Sequence, residues 1–404
     1  LEQAHHHHKS KEPSRYSLLE IGMVSAKLGL TSFGGPVAHL GYFRNEYVER
    51  RGWLDDRSYA DLVALCQFLP GPASSQVGIG IGLMRGGLPG ALAAWLGFTL
   101  PSVLLMILFA YFVEAFGWGE TGWVHGLQVA AVAIVAQAVL GMGRSLAPDR
   151  GRLLIVLGTA IISLLVSSAW IQVILLLVAG SIGWLFYRSA QEDAGPMLSL
   201  PLHKKSGAGW LTAFFLLLIL LPLLRSYTSL EWLAVLDSFY RSGSLVFGGG
   251  HVVLPLLEQE VVPSGWVTRE QFLAGYGAAQ AVPGPLFTFA AYLGMVIHGW
   301  MGAVLATAAI FLPAFLLVVG TLPYWERLRR NTAMRGALAA VNAAVVGILL
   351  AALYDPVWTS SIHTGRDFAL ALAAFGLLVY GKLPPWIVVA VAAVGGWVLT
   401  LFPG

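Results

Sequence analysis

The residues able to do chemistry fall into one pattern that the chain carries twice. The first copy reads Phe33-Gly34-Gly35-Pro36, then His39, Glu46 and Trp53, and closes on Gln67, Pro70-Gly71-Pro72 and the polar run Ser74-Ser75-Gln76. The second reads Phe247-Gly248-Gly249-Gly250, then His251, Glu260 and Trp266, and closes on Gln280, Pro283-Gly284-Pro285 and Thr288. The offset is 214 residues from Phe33 to Phe247 and 213 from Trp53 to Trp266, so the stretch is a duplication. Lys27 and Arg241 stand six residues before the two phenylalanines and are partner cations. Glu46 and Glu260 are partner carboxylates.

These residue types point to anion binding. Pro36, Pro72 and Pro285 each stand where a helix would begin, a position that tolerates the missing N–H. A helix that begins inside a membrane turns free N–H groups and the positive end of its dipole toward the break, which holds an anion without a charged side chain. The glycines let an oxyanion approach the backbone, and Ser74, Ser75, Gln76 and Thr288 add hydroxyl and amide groups. The plainer reading is that the breaks are packing kinks. Two breaks at matching positions, each with its glutamine, favour a site.

A cation in an apolar segment costs roughly 2.5–3.5 kcal/mol and calls for a partner. A divalent anion held between the copies is one partner; snorkelling, or salt bridges from Lys27 to Glu20 and Arg241 to Asp237, is the alternative. Glu46 and Glu260 could carry a coupling proton if buried, or pair with Arg50 or Arg44. His39 and His251 are candidates for anion contact or proton relay, or for structural hydrogen bonds. No nucleophile elbow, phosphate-binding Walker loop or zinc pattern is present, so the reading is not an enzyme and assigns no cofactor and no metal. The single Cys66 reads as packing, and His5 to His8 as a tag or tail.

The chain that must position these residues has 404 of them, 57% hydrophobic and 11% charged. A soluble domain would carry roughly twice that charged fraction. Apolar runs of membrane-spanning length recur, continuous rather than alternating, so the fold class is an all-α polytopic membrane protein in a lipid bilayer. The small net charge of +3 gives no sign of nucleic acid. The expected order is a polar tail (1–15), a first repeat (16–188), a polar linker (189–208), an unmatched transmembrane span (209–225) and a second repeat (226–404). Each repeat should hold two broken or re-entrant segments and about four full spans. Leu100-Pro101 matches Leu312-Pro313 and Gly126 matches Gly336 beyond the motifs.

Basic residues gather in the tail, at Arg144/Arg150/Arg152, at Arg188/Lys204/Lys205 and at Arg327/Arg329/Arg330/Arg335. If those loops are cytoplasmic, the two repeats are inverted with respect to each other and the N-terminus is cytoplasmic. The segments around Pro70-Gly71-Pro72 are each about half a membrane long, which fits a re-entrant hairpin or one interrupted span; the hairpin keeps Arg44 to Arg57 and Arg85 on the cytoplasmic side and is preferred.

The run Phe33-Gly34-Gly35-Pro36 to His39, with Glu46, Trp53-Leu54, Tyr59 and Ala64-Leu65-Cys66-Gln67 to Pro70-Gly71-Pro72, resembles the chromate ion transporter family. The second copy resembles the paired half of its long, duplicated members, with Gly250 where the first copy has Pro36. The resemblance implies export of chromate across the bacterial inner membrane, conferring resistance, with sulfate, isosteric with chromate, as the competitor. With no ATP site in the sequence, such a secondary transporter would run on an ion gradient or the membrane potential, and protons enter as partners only through Glu46 and Glu260. A sulfate or other oxyanion carrier and a non-transporting membrane scaffold are the alternatives, and a homodimer is left open.

Overall fold

The computed structural model describes residues 18–116, 122–166, 171–187 and 204–401. The expected tail, His5 to His8 and most of the linker lie outside the described residues. Among the described residues the chain is helical, with no strand.

The first copy runs through α1 (Leu18–Thr31), α2 (Gly35–Phe43) continued by a π-helical segment (Arg44–Arg50), α3 (Asp56–Phe68), α4 (Ala73–Phe116), α5 (Gly122–Leu146), α6 (Arg150–Leu165) and α7 (Ile171–Phe186). The unmatched helix is α8 (Lys204–Tyr227). The second copy follows as α9 (Glu231–Leu245), a 3-10 turn (Gly250–Val252), α10 (Val253–Val261), α11 (Arg269–Ala279), a second turn (Leu286–Thr288) and α12 (Phe289–Thr321). Then come α13 (Trp325–Arg330), α14 (Thr332–Ala352), α15 (Gly365–Val379) and α16 (Pro385–Thr400). Lys204 and Lys205, expected in the linker, stand in the first turn of α8.

The helix ends follow local chemistry. Asp55 caps α3 by accepting from the N–H groups of Ser58 and Arg57, and the Ser58 bond leads in holding its carboxyl below the usual range. Thr268 and Gln271 form a reciprocal capping box on α11. α4 and α12 each reverse sharply near one end. Gly87 has φ 64° and ψ −155°, and Gly299 has φ 60° and ψ −150°. The reversal brings Gly82 against the carbonyl of Gly90, and Gly294 against that of Gly302, although eight helical residues would span about 12 Å. Two copies 212 residues apart thus make the same turn.

That turn fixes the direction of every later segment. Arg85 stacks on the Trp53 ring at 5.7 Å, and Arg51 bonds Glu20 at 3.0 Å. The start of α1, the start of α3 and the turn of α4 therefore share one end of the molecule, here the near end. In the second copy the His298 ring meets Trp232 at 4.7 Å in a tilted contact, beside the start of α9. Gln128, near the start of α5, donates to Glu270 O at the start of α11 (3.1 Å). These groups form the far end. The Trp325 Nε1 after α12 donates to Asp61 Oδ1 of α3 at 3.0 Å, so α12 has returned to the near end. The copies are inverted.

They are also interwoven. α5 of the first copy packs on α15 and α16 of the second, with Gly126 against the Ala392 carbonyl. α14 packs on α6 and α7, with Gly336 against Gly183 and Tyr187. Small residues at these crossings let backbones touch, as helix association in lipid requires.

Among the described residues five helices are long and apolar enough to cross a membrane: Ala73–Ala115, Gly122–Leu146, Lys205–Tyr227, Leu286–Tyr324 and Thr332–Trp358. α6, α7, α15 and α16, expected as full spans, have 15 or 16 residues, so each rises only about 22–24 Å. Outward-facing Leu154, Leu165, Leu177, Leu185 and Leu216 give the outer wall a lipid-compatible surface.

The inversion predicts a labelling pattern. With Cys66 replaced by alanine, Arg57→Cys and Arg327→Cys should react with an impermeant maleimide from one face of the membrane, and Tyr227→Cys from the other. Modification of all three from one face would contradict the inversion.

Candidate functional site: the crossing of the broken helices

The breaks of the two copies meet. Gly71 N–H donates to Val246 O at 2.7 Å, and Gly284 N–H donates to Ser32 O at 2.9 Å. The bonds are images of each other, because Gly71 corresponds to Gly284 and Ser32 to Val246. A reciprocal exchange of unlike groups is what a two-fold relation produces. Both glycines have positive φ, 118° and 99°. The third meeting is between the Phe-Gly-Gly breaks: a Cβ on Gly250 would lie 3.8 Å from Pro36 Cγ.

Helix starts point into this crossing. Gly34 caps α2 in the left-handed region (φ 92°), Gly35 has φ 80°, and Pro36 occupies the first turn. α4 starts just after Pro72, and its first helical bond is Gln76 N–H to Pro72 O at 3.0 Å. The N–H groups of Ala73, Ser74 and Ser75 thus precede the helical ladder. The Gln76 amide is pinned by donating to Pro70 O at 2.7 Å.

Side chains add unused polar capacity. Ser32 Oγ, Ser75 Oγ, Gln76 Oε1, Thr99 Oγ1 and Gln280 Nε2 are buried and have no hydrogen-bond partner among the described residues. His39 Nδ1 shares a hydrogen bond with Ser74 Oγ (3.3 Å), and His251 Nδ1 with the Tyr276 hydroxyl (2.9 Å). Gln67 is exposed, and Phe33 packs against Trp386 with ring centroids 6.0 Å apart. Gly248 and Gly249 lie beside Met142.

The paired cations and the paired carboxylates find one another. Lys27 Nζ is 2.8 Å from Glu46 Oε2, and Arg241 Nη1 is 2.9 Å from Glu260 Oε1. Each pair is the centre of a cluster. Glu46 also meets Arg50 (3.4 Å) and Arg51 (2.8 Å). Arg241 also meets Asp237 (2.8 Å), which Arg225 reaches at 3.1 Å. Arg51 belongs to the near end and Arg225, closing α8, to the far end, so the two clusters stand on opposite sides of the crossing.

A family profile described as chromate transporter matches residues 19–184 and 233–397, one segment in each copy. The chain belongs to the chromate transporter family. It is 29% identical over 384 residues to a chromate transport protein of Pseudomonas aeruginosa, covering 92% of this chain and 90% of that one. It is 28% identical over 398 residues to a chromate transport protein of Cupriavidus metallidurans, covering 95% and 93%. An uncharacterized transporter of Bacillus subtilis, YwrA, is 28% identical over 168 residues, which are 40% of this chain and 94% of its own. No solved structure matches the chain.

This member of the chromate transporter family has two unequal half-sites. Where the first copy places Ser74, Ser75 and Gln76, all buried, the second has Phe287, Thr288 and Phe289. Thr288 Oγ1 is already engaged with Pro285 O at 2.9 Å. At the Pro-Gly-Pro breaks Pro283, Gly284 and Pro285 are buried, whereas of Pro70, Gly71 and Pro72 only Pro72 is; at the Phe-Gly-Gly breaks the copies match, with Gly34 and Gly248 exposed and Gly35 and Gly249 half-buried. The polar half is the first copy.

Sequence reasoning missed four participants. Ser32 and Val246 act through backbone carbonyls, which no side-chain pattern reveals, although the repeat offset pairs them. Ser102 closes on Gly284: a Cβ there would lie 2.7 Å from Ser102 Oγ. Arg225 comes from α8, which has no repeat partner to flag it.

The break glycines should be intolerant of a side chain. Gly284→Ala and Gly71→Ala are each expected to cost about 1–3 kcal/mol, because φ is positive and the new carbon meets a neighbour. A lowered thermal midpoint in detergent should show it, with the larger drop for Gly284→Ala, whose Cβ meets Ser102 more closely than that of Gly71 meets Gln76 (3.0 Å).

Proposed function

We propose that the chain is a secondary carrier that exports chromate across a bacterial inner membrane and thereby confers chromate resistance, with its N-terminus in the cytoplasm. The observation that carries this reading is the crossing itself. Helix starts and unpaired polar groups from an inverted duplication converge there, in a family whose named relatives are chromate transport proteins. Convergent N–H groups suit a compact oxyanion, which they stabilise without a fixed counter-charge. Sulfate has the same shape and charge and is the expected competitor.

Transport rather than catalysis is the activity, and the driving force need not be chemical. Moving one charge through 100 mV is worth about 2.3 kcal/mol, so outward passage of a dianion gains about 4.6 kcal/mol in a membrane negative inside. An ion gradient adds to this if Glu46 or Glu260 carries a proton. The first copy binds the anion through Gly34, Gly35, Pro36, Gly71, Pro72, Ser74, Ser75 and Gln76, with His39, Phe33, Gln67 and Pro70 around them. The second copy, through Phe247 to His251, Gln280, Pro283 to Pro285 and Thr288, forms the opposite wall.

Lys27 and Arg241 serve at the two mouths in this scheme. Each cation is held by a carboxylate, and an arriving dianion competes with that carboxylate for it. Breaking either pair opens one side of the crossing while the other stays closed.

Reconstituted protein tests the reading. Saturable chromate flux that sulfate inhibits, and that an imposed voltage accelerates, is the expected result; absence of flux in folded protein would leave the scaffold. Lys27→Ala and Arg241→Ala should weaken apparent chromate affinity several-fold in folded protein, and unchanged affinity in both would remove them from the path. Glu46→Gln should alter the pH profile of flux. A superimposable profile would end its proton role.

A further inference from the structure

One buried group at the crossing has the wrong polarity for a dianion. The Gln76 side chain belongs to a fully enclosed residue, 0% exposed. Its amide orientation is fixed by chemistry: Nε2 lies 2.7 Å from Pro70 O, and only the NH2 end of an amide can donate to a carbonyl. A Cβ on Gly71 would lie 3.0 Å from the same Nε2, so the amide sits against the Pro-Gly-Pro break. Oε1 is the end left over. It is buried and has no hydrogen-bond partner among the described residues. The residue type suggested a donor for the anion; the fold spends a donor on its own break and presents an acceptor.

Donors stand in the same turn. The N–H groups of Ala73, Ser74 and Ser75 precede the helical ladder of α4, and Ser75 Oγ is buried and unpaired. A tetrahedral dianion brings only acceptor oxygens to this place. It would satisfy the donors and leave Oε1 buried, unpaired and facing negative charge, which costs affinity. An oxyanion that carries one proton meets both demands. Its bare oxygens accept from the N–H and hydroxyl groups, and its O–H donates to Gln76 Oε1.

We infer that the first-copy half-site binds a singly protonated oxyanion, hydrogen chromate, and that Gln76 Oε1 is the group that selects it over sulfate. The inference rests on the carrier reading above and names the ionic form carried. Chromate takes up a proton close to neutrality, whereas sulfate does so only in strong acid, so near neutral pH chromate alone supplies the O–H. A site that hydrogen-bonds a substrate hydroxyl rejects an isosteric analogue without one far better than an apolar pocket could. Sulfate still competes through the N–H groups, but weakly, and each turnover moves one negative charge rather than two. The second copy has Phe289 at the equivalent position, so its half-site lacks the selecting group. Pro70, Gly71 and Ala314 pack around the amide and Val246 meets the break through its carbonyl; none of them titrates. His39, 3.3 Å from Ser74 Oγ, is the titratable side chain bonded to this run, and Lys27 and Glu46 are paired at the mouth.

Paired binding titrations on the intact protein in detergent test this, with sulfate as the control for titration of the protein itself, His39 included. From about pH 7 to about pH 9 the apparent chromate Kd should rise about tenfold per pH unit relative to the sulfate Kd, as the competent fraction falls. Gln76→Met removes the acceptor at similar size. In variant protein whose thermal midpoint stays within a few degrees, the slope should flatten and sulfate should gain on chromate several-fold. A pH-independent ratio in the unaltered protein would overturn the inference and make the dianion the bound species; that comparison decides alone if Gln76→Met does not fold. An unchanged slope in folded Gln76→Met would overturn the assignment to Gln76. Binding of neither ion would overturn the carrier reading and the inference with it.

Discussion

Two backbone hydrogen bonds, from Gly71 to Val246 and from Gly284 to Ser32, set the terms for the rest of the molecule. A broken helix inside a membrane leaves N–H and C=O groups that water cannot satisfy, and each orphan there costs several kcal/mol. In this fold each copy supplies what the other lacks. The glycine at one Pro-Gly-Pro break donates to the carbonyl that ends the helix before the other copy's Phe-Gly-Gly break. Neither copy could hold its breaks in this geometry alone. The same dependence appears in the exchange of α5 and α14, each of which packs on the other copy's final hairpin. A segment of half-membrane length becomes tolerable when another segment meets its tip.

Inversion has an electrostatic consequence that the duplicated ion pairs record. Arg44 of the first copy bonds Asp56 at 2.8 Å, tying the π-helical segment to the start of α3. The equivalent residues of the second copy are Glu258 and Arg269, 3.6 Å apart, tying α10 to α11. The bridge is kept and its signs are exchanged. Glu49 also bonds Arg44, and Arg50, Arg51, Arg57 and Arg85 stand at that end; at the other end Asp355 meets Arg269 at 3.4 Å and Glu231 meets His298. Arginines accumulate at the near end, the kind of bias that orients helices in a bilayer. The bridge needs opposite charges but not a particular order, so each copy adopted the order its end of the membrane favoured.

Much of this was legible in the residues. Apolar run length and proline and glycine placement located nearly every helix, and loop charge showed the inversion that Trp325 and Asp61 make physical. α1 and α9 end just before the Phe-Gly-Gly runs, and α3 and α11 just before the Pro-Gly-Pro runs. Other features were beyond reach. Lys27 reads locally as a partner for Glu20, because helical spacing reports only neighbours; Glu46 arrives through the reversal between α1 and α2. Arg241 does bond Asp237, the local partner, yet Glu260 comes to it as well. The site's most specific contacts are carbonyls of Ser32 and Val246, and backbone groups carry no residue-type signal.

The unequal halves suggest how an inverted duplication becomes a carrier of one substrate. Two identical half-sites would offer a dianion two equal resting places, one for each copy, and would hold it at both. Here the second copy has filled its half with Phe287 and Phe289, both nearly inaccessible, and has buried Pro283, Gly284 and Pro285. Its break is a packed wall. The first copy keeps Ser74, Ser75 and Gln76, and its Gly71 is more open than Gly284, so the polar groups lie mainly on one side of the crossing. A rigid wall facing an adaptable half lets motion of the latter change access without loss of the backbone bonds that join them. On the carrier reading proposed above, symmetry would supply the architecture and the departure from symmetry would leave one polar half at which to bind.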